Sequence, residues 1–473
     1  MKAIKYLLAG ALMTGFSAPS MAQDIKSQLD AITKVIVANK ANPDAAKKQV
    51  QEFYKANKKN AEALVGLGCA YLDIKDTINA SKYADEAIKK DKKNGAGYIL
   101  KGDIEAFKDN GGGAAKWYQQ AVYFDPQNPQ GYIKYAYVYR VSSPGEAVDM
   151  LNKLRTVDPT YPVDAVAGHF YYEANDFDKA IENFGKADIN KLDGSQLTEY
   201  AMSAYFKQNF DKAIEVATTG SQKFPRMAGL NRIAFYSYTD KKDYDNALSF
   251  ADKLFNQSDS AKFTALDYTY QGYAYNGKKD YDNSITSFNK ALEMNPNRTD
   301  VMQVLSQAYA AKGDYANAAT IYKNFLAAKK DATANDYAGL ATIYRNQASE
   351  TNQTQEQRDE AVKNADAAYA DLAKRFPDAE EFAVFMRARL SAALDPDSKK
   401  GLAKPHYERL AELVEKHTGE LSNVDKARIL EAYHYMAYYN YSHDNVAGAK
   451  TIAEKIIKID PSDNVANQIL GAK

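Results

Sequence analysis

The sequence predicts an all-α chain made by repeating one helix-turn-helix unit. Three observations carry that expectation. Small residues recur at a fixed interval: Ala80, Ala114, Ala147, Ala180, Ala213 and Ala247 stand 33 or 34 residues apart, Ser284 and Ala318 extend the row, and Ala449 rejoins it. Further rows run through Gly68, Gly102 and Ala136, and through Ala87, Ala121, Ala187 and Ala291. Prolines close the units at Pro126, Pro159, Pro225, Pro296, Pro377 and Pro461, most of them after Asp or Asn. Self-similarity at this interval marks an array in which each unit buries its apolar face against the next.

Taken in order, the first segment, MKAIKYLLAGALMTGFSAPSMAQ, stands apart from the array. Lys2 and Lys5 precede an apolar run from Tyr6 to about Ala18, and Ser20 and Ala22 supply small residues at its end. That is the pattern of a signal peptide spanning 1–22, with cleavage expected after Ala22; the run is too short to cross a bilayer. No cysteine follows to take a lipid, and the single Cys69 has no partner for an intramolecular disulfide. Residues 24–60 read as a divergent helical pair capping the stack.

Over 61–345 the units follow one plan. Leu64, Leu67 and Tyr71, or Tyr268, Gly272 and Tyr275, have helical spacing and define a first helix. A polar turn follows, as in NDFDKA, QNFDKA, KDYDNA, KDYDNS and GDYANA, whose Asp176, Asn209, Asp243, Asp280 and Asp314 suit the N-cap of a second helix. Small residues fall where two helix axes must approach, and Tyr118, Phe184, Phe288 and Tyr322 fill the wider gaps. The proline then stops the second helix, because the residue before it is pushed out of helical geometry.

The stretch 346–360, NQASETNQTQEQRDE, is polar and reads as an exposed insertion dividing a longer front array from a shorter back one. Residues 361–473 read as further repeat-like helices, with a divergent pair over 380–418 interrupted by LDPDSKKG. Past Pro461, Val465, Ile469 and Leu470 predict a short final helix covering the last apolar face.

This pattern resembles the tetratricopeptide repeat family, whose unit is a 34-residue helix-turn-helix with small residues, a tyrosine, a phenylalanine and a closing proline at fixed places. The resemblance covers about nine units between residues 61 and 377 and one from about 430 to 461. Glu105 and Ala204 depart from the family's tyrosine, and Phe235 stands where a small residue is expected. The resemblance implies a right-handed α-α superhelix, a solenoid of about eleven to twelve helix pairs. First helices in such a stack line a concave wall that receives a peptide or a partner's surface. The family's offsets put Tyr137, Arg140, His169, Tyr172, Met202, Tyr205, Arg232, Tyr236 and Tyr273 on that wall, with Tyr438 and Tyr441 at its far end. Tyrosine and arginine give large contact area with polar handles. The lysine and asparagine clamp that some members use for a terminal carboxylate is replaced here by residues such as Val65, Cys69, Ile99 and Asp103.

Chemistry leaves few marks. Lys and Arg number 61 against 61 Asp and Glu, so charge makes no case for nucleic acid or an anionic membrane surface. No run after the leader is long and apolar enough to span a membrane. His169, His406, His417, His434 and His443 lack metal-ligand spacing, and Gly111-Gly112-Gly113 lacks the Gly-Lys-Ser/Thr of a phosphate loop. No nucleophile stands with a placed base. Thus no catalytic residue, metal or cofactor is expected. The expected function is a non-catalytic protein-interaction scaffold of the cell envelope, exported, and periplasmic, outer-membrane-associated or secreted. A carbohydrate-binding protein using the same aromatics, and an enzyme with a site in 346–430, are the rival readings. The sequence is silent on oligomeric state.

Overall fold

Alternation of apolar stripes with capped polar turns produces helices almost throughout the computed structural model, which describes residues 21–471, and side chains from Asp24. The expected signal peptide lies outside the described residues except for its last two positions, which begin the first helix. Among the described residues there are 25 α-helices and no strand.

The chain divides into two compact units. One holds the described residues up to Lys241 together with Phe250–Ala261. Its helices are α1 (Met21–Ala38), α2 (Lys47–Asn57), α3 (Ala61–Asp73), α4 (Thr77–Lys90), α5 (Gly95–Phe107), α6 (Gly111–Phe124) and α7 (Pro129–Tyr139). They continue with α8 (Pro144–Leu154), α9 (Val163–Glu173), α10 (Phe177–Lys186), α11 (Gly194–Phe206), α12 (Phe210–Lys223) and α13 (Ala228–Asp240). Helix α14 (Tyr244–Asp252) carries the division, and a π-helical turn, Lys253–Gln257, follows it.

The second unit holds Lys242–Ser249 and the residues from Lys262 onward. It contains α15 (Ala265–Gly277), α16 (Tyr281–Met294), α17 (Thr299–Lys312), α18 (Tyr315–Ala328), α19 (Ala334–Ser349) and α20 (Gln355–Arg375). After these come α21 (Glu380–Leu394), α22 (Lys404–Val414), α23 (Asn423–Ser442), α24 (Val446–Ile459) and α25 (Asn464–Gly471). Within each unit, consecutive helices pack as pairs and successive pairs stack.

The small-residue row marks the close crossings. Ala80, Ala114, Ala147, Ala180, Ala213, Ala247, Ser284, Ala318 and Ala449 are all fully buried. Where serine replaces alanine, its hydroxyl is satisfied: Ser284 Oγ donates to the Gly272 carbonyl at 3.0 Å. Small and large residues interlock between the two helices of a pair. A Cβ on Gly168 would stand 2.7 Å from the Phe184 ring, and one on Gly102 would run into Tyr118, so only glycine admits the aromatic there.

The turns are as regular. Asp176, Asn209, Asp280 and Asp314 each accept the backbone N–H three residues on, and Asp243 accepts that of Asn246 at 3.3 Å. The residue just before the cap is left-handed: Lys75, Asp109, Asn175, Gln208, Lys242 and Lys279 have φ between 56° and 69°. A lysine at or just after the end of the first helix then reaches back to an aspartate in the first turn of the preceding second helix. Lys207 meets Asp178 at 2.9 Å and Lys278 meets Asp245 at 2.7 Å, with Lys241 on Asp211 in the same relation. Each such exposed pair is worth at most about 1 kcal/mol, so the ladder trims register more than it holds the fold.

At the N-terminal end, Ile32 and Ile36 of α1 join Leu64 and Leu67 of α3 in one core. At the other end Ala466 and Ile469 of α25 close the core around Met436 and Ile456.

Two features differ from the sequence expectation. Residues 346–360 are not an irregular insertion: 346–349 complete α19, 355–360 begin α20, and only a five-residue connection separates them. Thr354 and Gln357 form a reciprocal capping box, so the polar run is the solvated start of a 21-residue helix. The chain also divides near residues 242–261 and not at 346–360. That is where Phe235, fully buried on α13, breaks the small-residue pattern and where the π-helical turn replaces a regular helix end.

Candidate functional site

All nine wall residues sit on, or cap, first helices of their pairs. Tyr137 lies on α7 with Arg140 just past its end, His169 and Tyr172 on α9, Met202 and Tyr205 on α11, and Arg232 and Tyr236 on α13. These eight belong to the first unit; Tyr273, on α15, belongs to the second.

In the first unit the wall is a chain of contacts from one repeat to the next. The Arg140 Nε donates to Glu173 Oε2 at 2.6 Å and its Nη1 to the Tyr137 carbonyl at 2.7 Å. His169 Nδ1 lies 2.9 Å from Glu199 Oε2, while its Nε2 is 3.9 Å from Glu173. The Glu199 hydrogen bond is the main cause that raises the His169 pKa, against burial, which pulls it down. Tyr172 points its hydroxyl at Met202 Sδ, 3.1 Å away, and burial raises its pKa. Tyr137 packs edge-on against Phe170, 5.0 Å between centroids.

Farther along, Tyr205 donates to Asp240 and tilts against Tyr236 at 6.2 Å. Tyr236 is buried, so it serves packing inside the unit and offers no open face. Arg232 is half-buried. In the second unit Tyr273 is half-buried and stands edge-on to Phe288 at 5.5 Å. Tyr438 and Tyr441, on α23, are about half exposed, at 53% and 49%.

Glu173, Glu199 and Asp240 were not among the residues picked from the sequence. Each lies 30 to 35 positions beyond its partner (Arg140, His169 and Tyr205 respectively), so the repeat interval itself was the signal that could have found them.

Other chemistry-bearing groups have structural surroundings. Burial pushes the Cys69 thiol up to about 12, which leaves it inert as a nucleophile. Folding gathers Glu381, His417 and Asp425, whose ligand-type atoms lie within 4.8 Å of one another. Chain spacing could not reveal this group. In it the two imidazole nitrogens face different carboxylates, Nε2 to Glu381 at 3.0 Å and Nδ1 to Asp425 at 3.4 Å. Arg428 occupies the other Glu381 oxygen at 2.6 Å. One ion would take a single imidazole nitrogen, so the arrangement reads as a polar cluster in which the histidine bridges two carboxylates. Among the described residues no helix is long and apolar enough to cross a membrane.

No curated protein matches the chain. Solved structures similar to it include the C-terminal part of a tetratricopeptide repeat-containing protein from Cytophaga hutchinsonii, 22% identical, with a TM-score of 0.43. That alignment covers 58% of this chain and 100% of the other. A tetratricopeptide repeat protein from Parabacteroides merdae is 19% identical over 52% of this chain and 98% of its own, with a TM-score of 0.33. YrrB, described as a tetratricopeptide repeat protein with an unusual peptide-binding site, is 20% identical over 42% of this chain and 100% of its own, at 0.32. Family models described as tetratricopeptide repeat match residues 61–94, 268–298 and 301–335, three of the units that the small-residue rows delimit. Residues 61–94, 268–298 and 301–335 are thus tetratricopeptide repeats, set among helix pairs that share the buried alanine row and capped turns.

Proposed function

We propose that this chain is a non-catalytic scaffold of the cell envelope that binds a peptide or protein partner on the first-helix wall, in the concave groove such stacks form. Repeat arrays present extended surfaces of this kind as their usual binding face. The observation that carries the reading is the recurrence of tyrosine, arginine and histidine at two neighbouring positions, one helical turn apart, on successive first helices. Several of these side chains are half-buried and already held by neighbours, so they would meet a partner with little entropy left to lose. The leader-like segment 1–22 supports export, which places the partner outside the cytoplasm.

Site-specific photo-crosslinking in the native host tests the wall. A photoreactive residue in place of Tyr172 should capture a discrete partner, whereas one at exposed Glu215, on the second helix α12, should not. Equal capture from both positions would refute the wall reading. N-terminal sequencing of the native protein should begin at Gln23; an intact Met1 would remove the envelope assignment.

A further inference from the structure

Apart from the nine wall residues, the second unit holds a cavity of about 460 Å³ between α19, α20 and α21. Its size falls at the lower end of small-ligand pockets. Three arginines line it, Arg345, Arg358 and Arg389, and no carboxylate does. Arg389 is neutralised: its guanidinium grips Glu431 with two bonds, 2.8 and 2.6 Å, and stacks on Phe385. The other two are not. Among the described residues neither Arg345 nor Arg358 enters an ion pair. Arg358 Nη2 donates to the Thr351 carbonyl at 3.2 Å, while its Nε is buried with no acceptor.

A buried guanidinium donor without an acceptor is a rare and costly arrangement in a native protein. Two uncompensated cations lining one concavity raise that cost, and an anion would relieve it, because guanidinium and carboxylate make short charge-assisted bonds. Ser349 and Gln355 add polar groups to the lining, and its apolar part is made by residues that include Ala348, Val362, Met386 and Leu390. An inorganic anion would leave that surface wet, whereas a carboxylate carried on a short apolar body would cover it.

The geometry points to an organic-anion site here, with Arg345 and Arg358 holding a carboxylate and the apolar lining holding its attached carbon skeleton. The carboxylate can come from a free small acid or from the end of a polypeptide, and the chemistry of recognition is the same. This site shares no residue with the nine wall positions, so either can fail without the other.

Calorimetric titration of the purified full chain tests it with four probes: hexanoate, hexanamide, and an N-acetylated Leu-Leu-Val tripeptide with either a free or an amidated C-terminus. Hexanoate or the free-acid peptide should bind at least tenfold more tightly than its uncharged counterpart. Tighter binding of the peptide assigns the site to a polypeptide terminus, and tighter binding of hexanoate assigns it to a free acid. Arg345→Gln and Arg358→Lys should each weaken that binding about tenfold or more with the helical circular dichroism unchanged. Lysine keeps the charge but loses the fork, so its failure to restore affinity reports bidentate recognition. Equal affinity for charged and uncharged probes, no binding of any probe, or unchanged affinity in a folded Arg345→Gln variant would overturn the proposal.

Discussion

Tyr205 donates its phenolic hydrogen to Asp240 Oδ2 at 2.9 Å, and the bond joins the first helices of two successive repeats. Its neighbour Tyr236 sits 6.2 Å away, ring to ring, and is buried. The two tyrosines therefore answer differently to mutation. Tyr236→Ala removes a packed aromatic and should cost roughly 3 kcal/mol of stability, as large-to-small core changes do. Tyr205→Phe removes one solvent-accessible hydrogen bond and should cost no more than about 1 kcal/mol. If the wall binds through phenol groups, Tyr205→Phe will weaken partner capture while its melting temperature stays near wild type. A Tyr236→Ala protein that melts like wild type would show that the wall does not need this ring for packing.

Ala213 reports the helix register. It is fully buried in the alanine row, so Ala213→Phe must push two helix axes apart and should cost about 1–3 kcal/mol. Gln119 lies exposed on α6, and Gln119→Phe should shift the midpoint of chemical unfolding by far less. Similar shifts for both variants would contradict the close crossing at Ala213.

Gln208 reports the turn. Its φ of 56° places it in the left-handed region, where a Cβ is crowded, and its N–H bonds the Tyr205 carbonyl at 2.8 Å. Glycine fits that conformation without strain. Gln208→Gly should therefore raise stability by up to about 1 kcal/mol, the side-chain strain of roughly 1–2 kcal/mol being partly offset by the greater unfolded-state freedom of glycine. A lower melting temperature for this variant would mean that the Gln208 side chain contributes more than its backbone costs.

The fold was legible because close packing leaves few options at a crossing. Ala180 and Ala213 cannot be large without separating the helices, so their spacing repeats visibly along the chain. The capped turns were legible for a similar reason, since Asp176 and Asn209 satisfy backbone donors that the geometry leaves open. The start of α20 was misread because polar residues suit a solvated helix face as well as a loop, although Thr354 followed by Gln357 carries the capping-box signature. The wall residues were placed on the correct helices, but their state was not legible. Whether Tyr236 is buried depends on what packs beside it, and composition cannot tell one tyrosine from another. The cavity lined by Arg345, Arg358 and Arg389 was beyond sequence reading altogether, because tertiary packing alone brings those positions together.

His169 gives the array a pH dependence whose sign follows from its partners. Glu199 accepts a hydrogen bond from Nδ1, Glu173 adds attraction at 3.9 Å from Nε2, and Arg140 beside them opposes it. The net effect raises the folded pKa above the unfolded value of about 6.5. Folding therefore favours the protonated ring. Its contribution to stability is present in full below the unfolded pKa and is lost as pH rises through the folded one. His169→Gln removes this contribution and leaves the other histidines, including His434 on Asp463, common to both proteins. The difference in melting temperature between wild type and His169→Gln should thus be largest near about pH 6 and shrink toward about pH 8.5. A difference that grows with rising pH would mean that His169 is held neutral in the folded state, and that Glu199 accepts from an imidazole carrying a single proton.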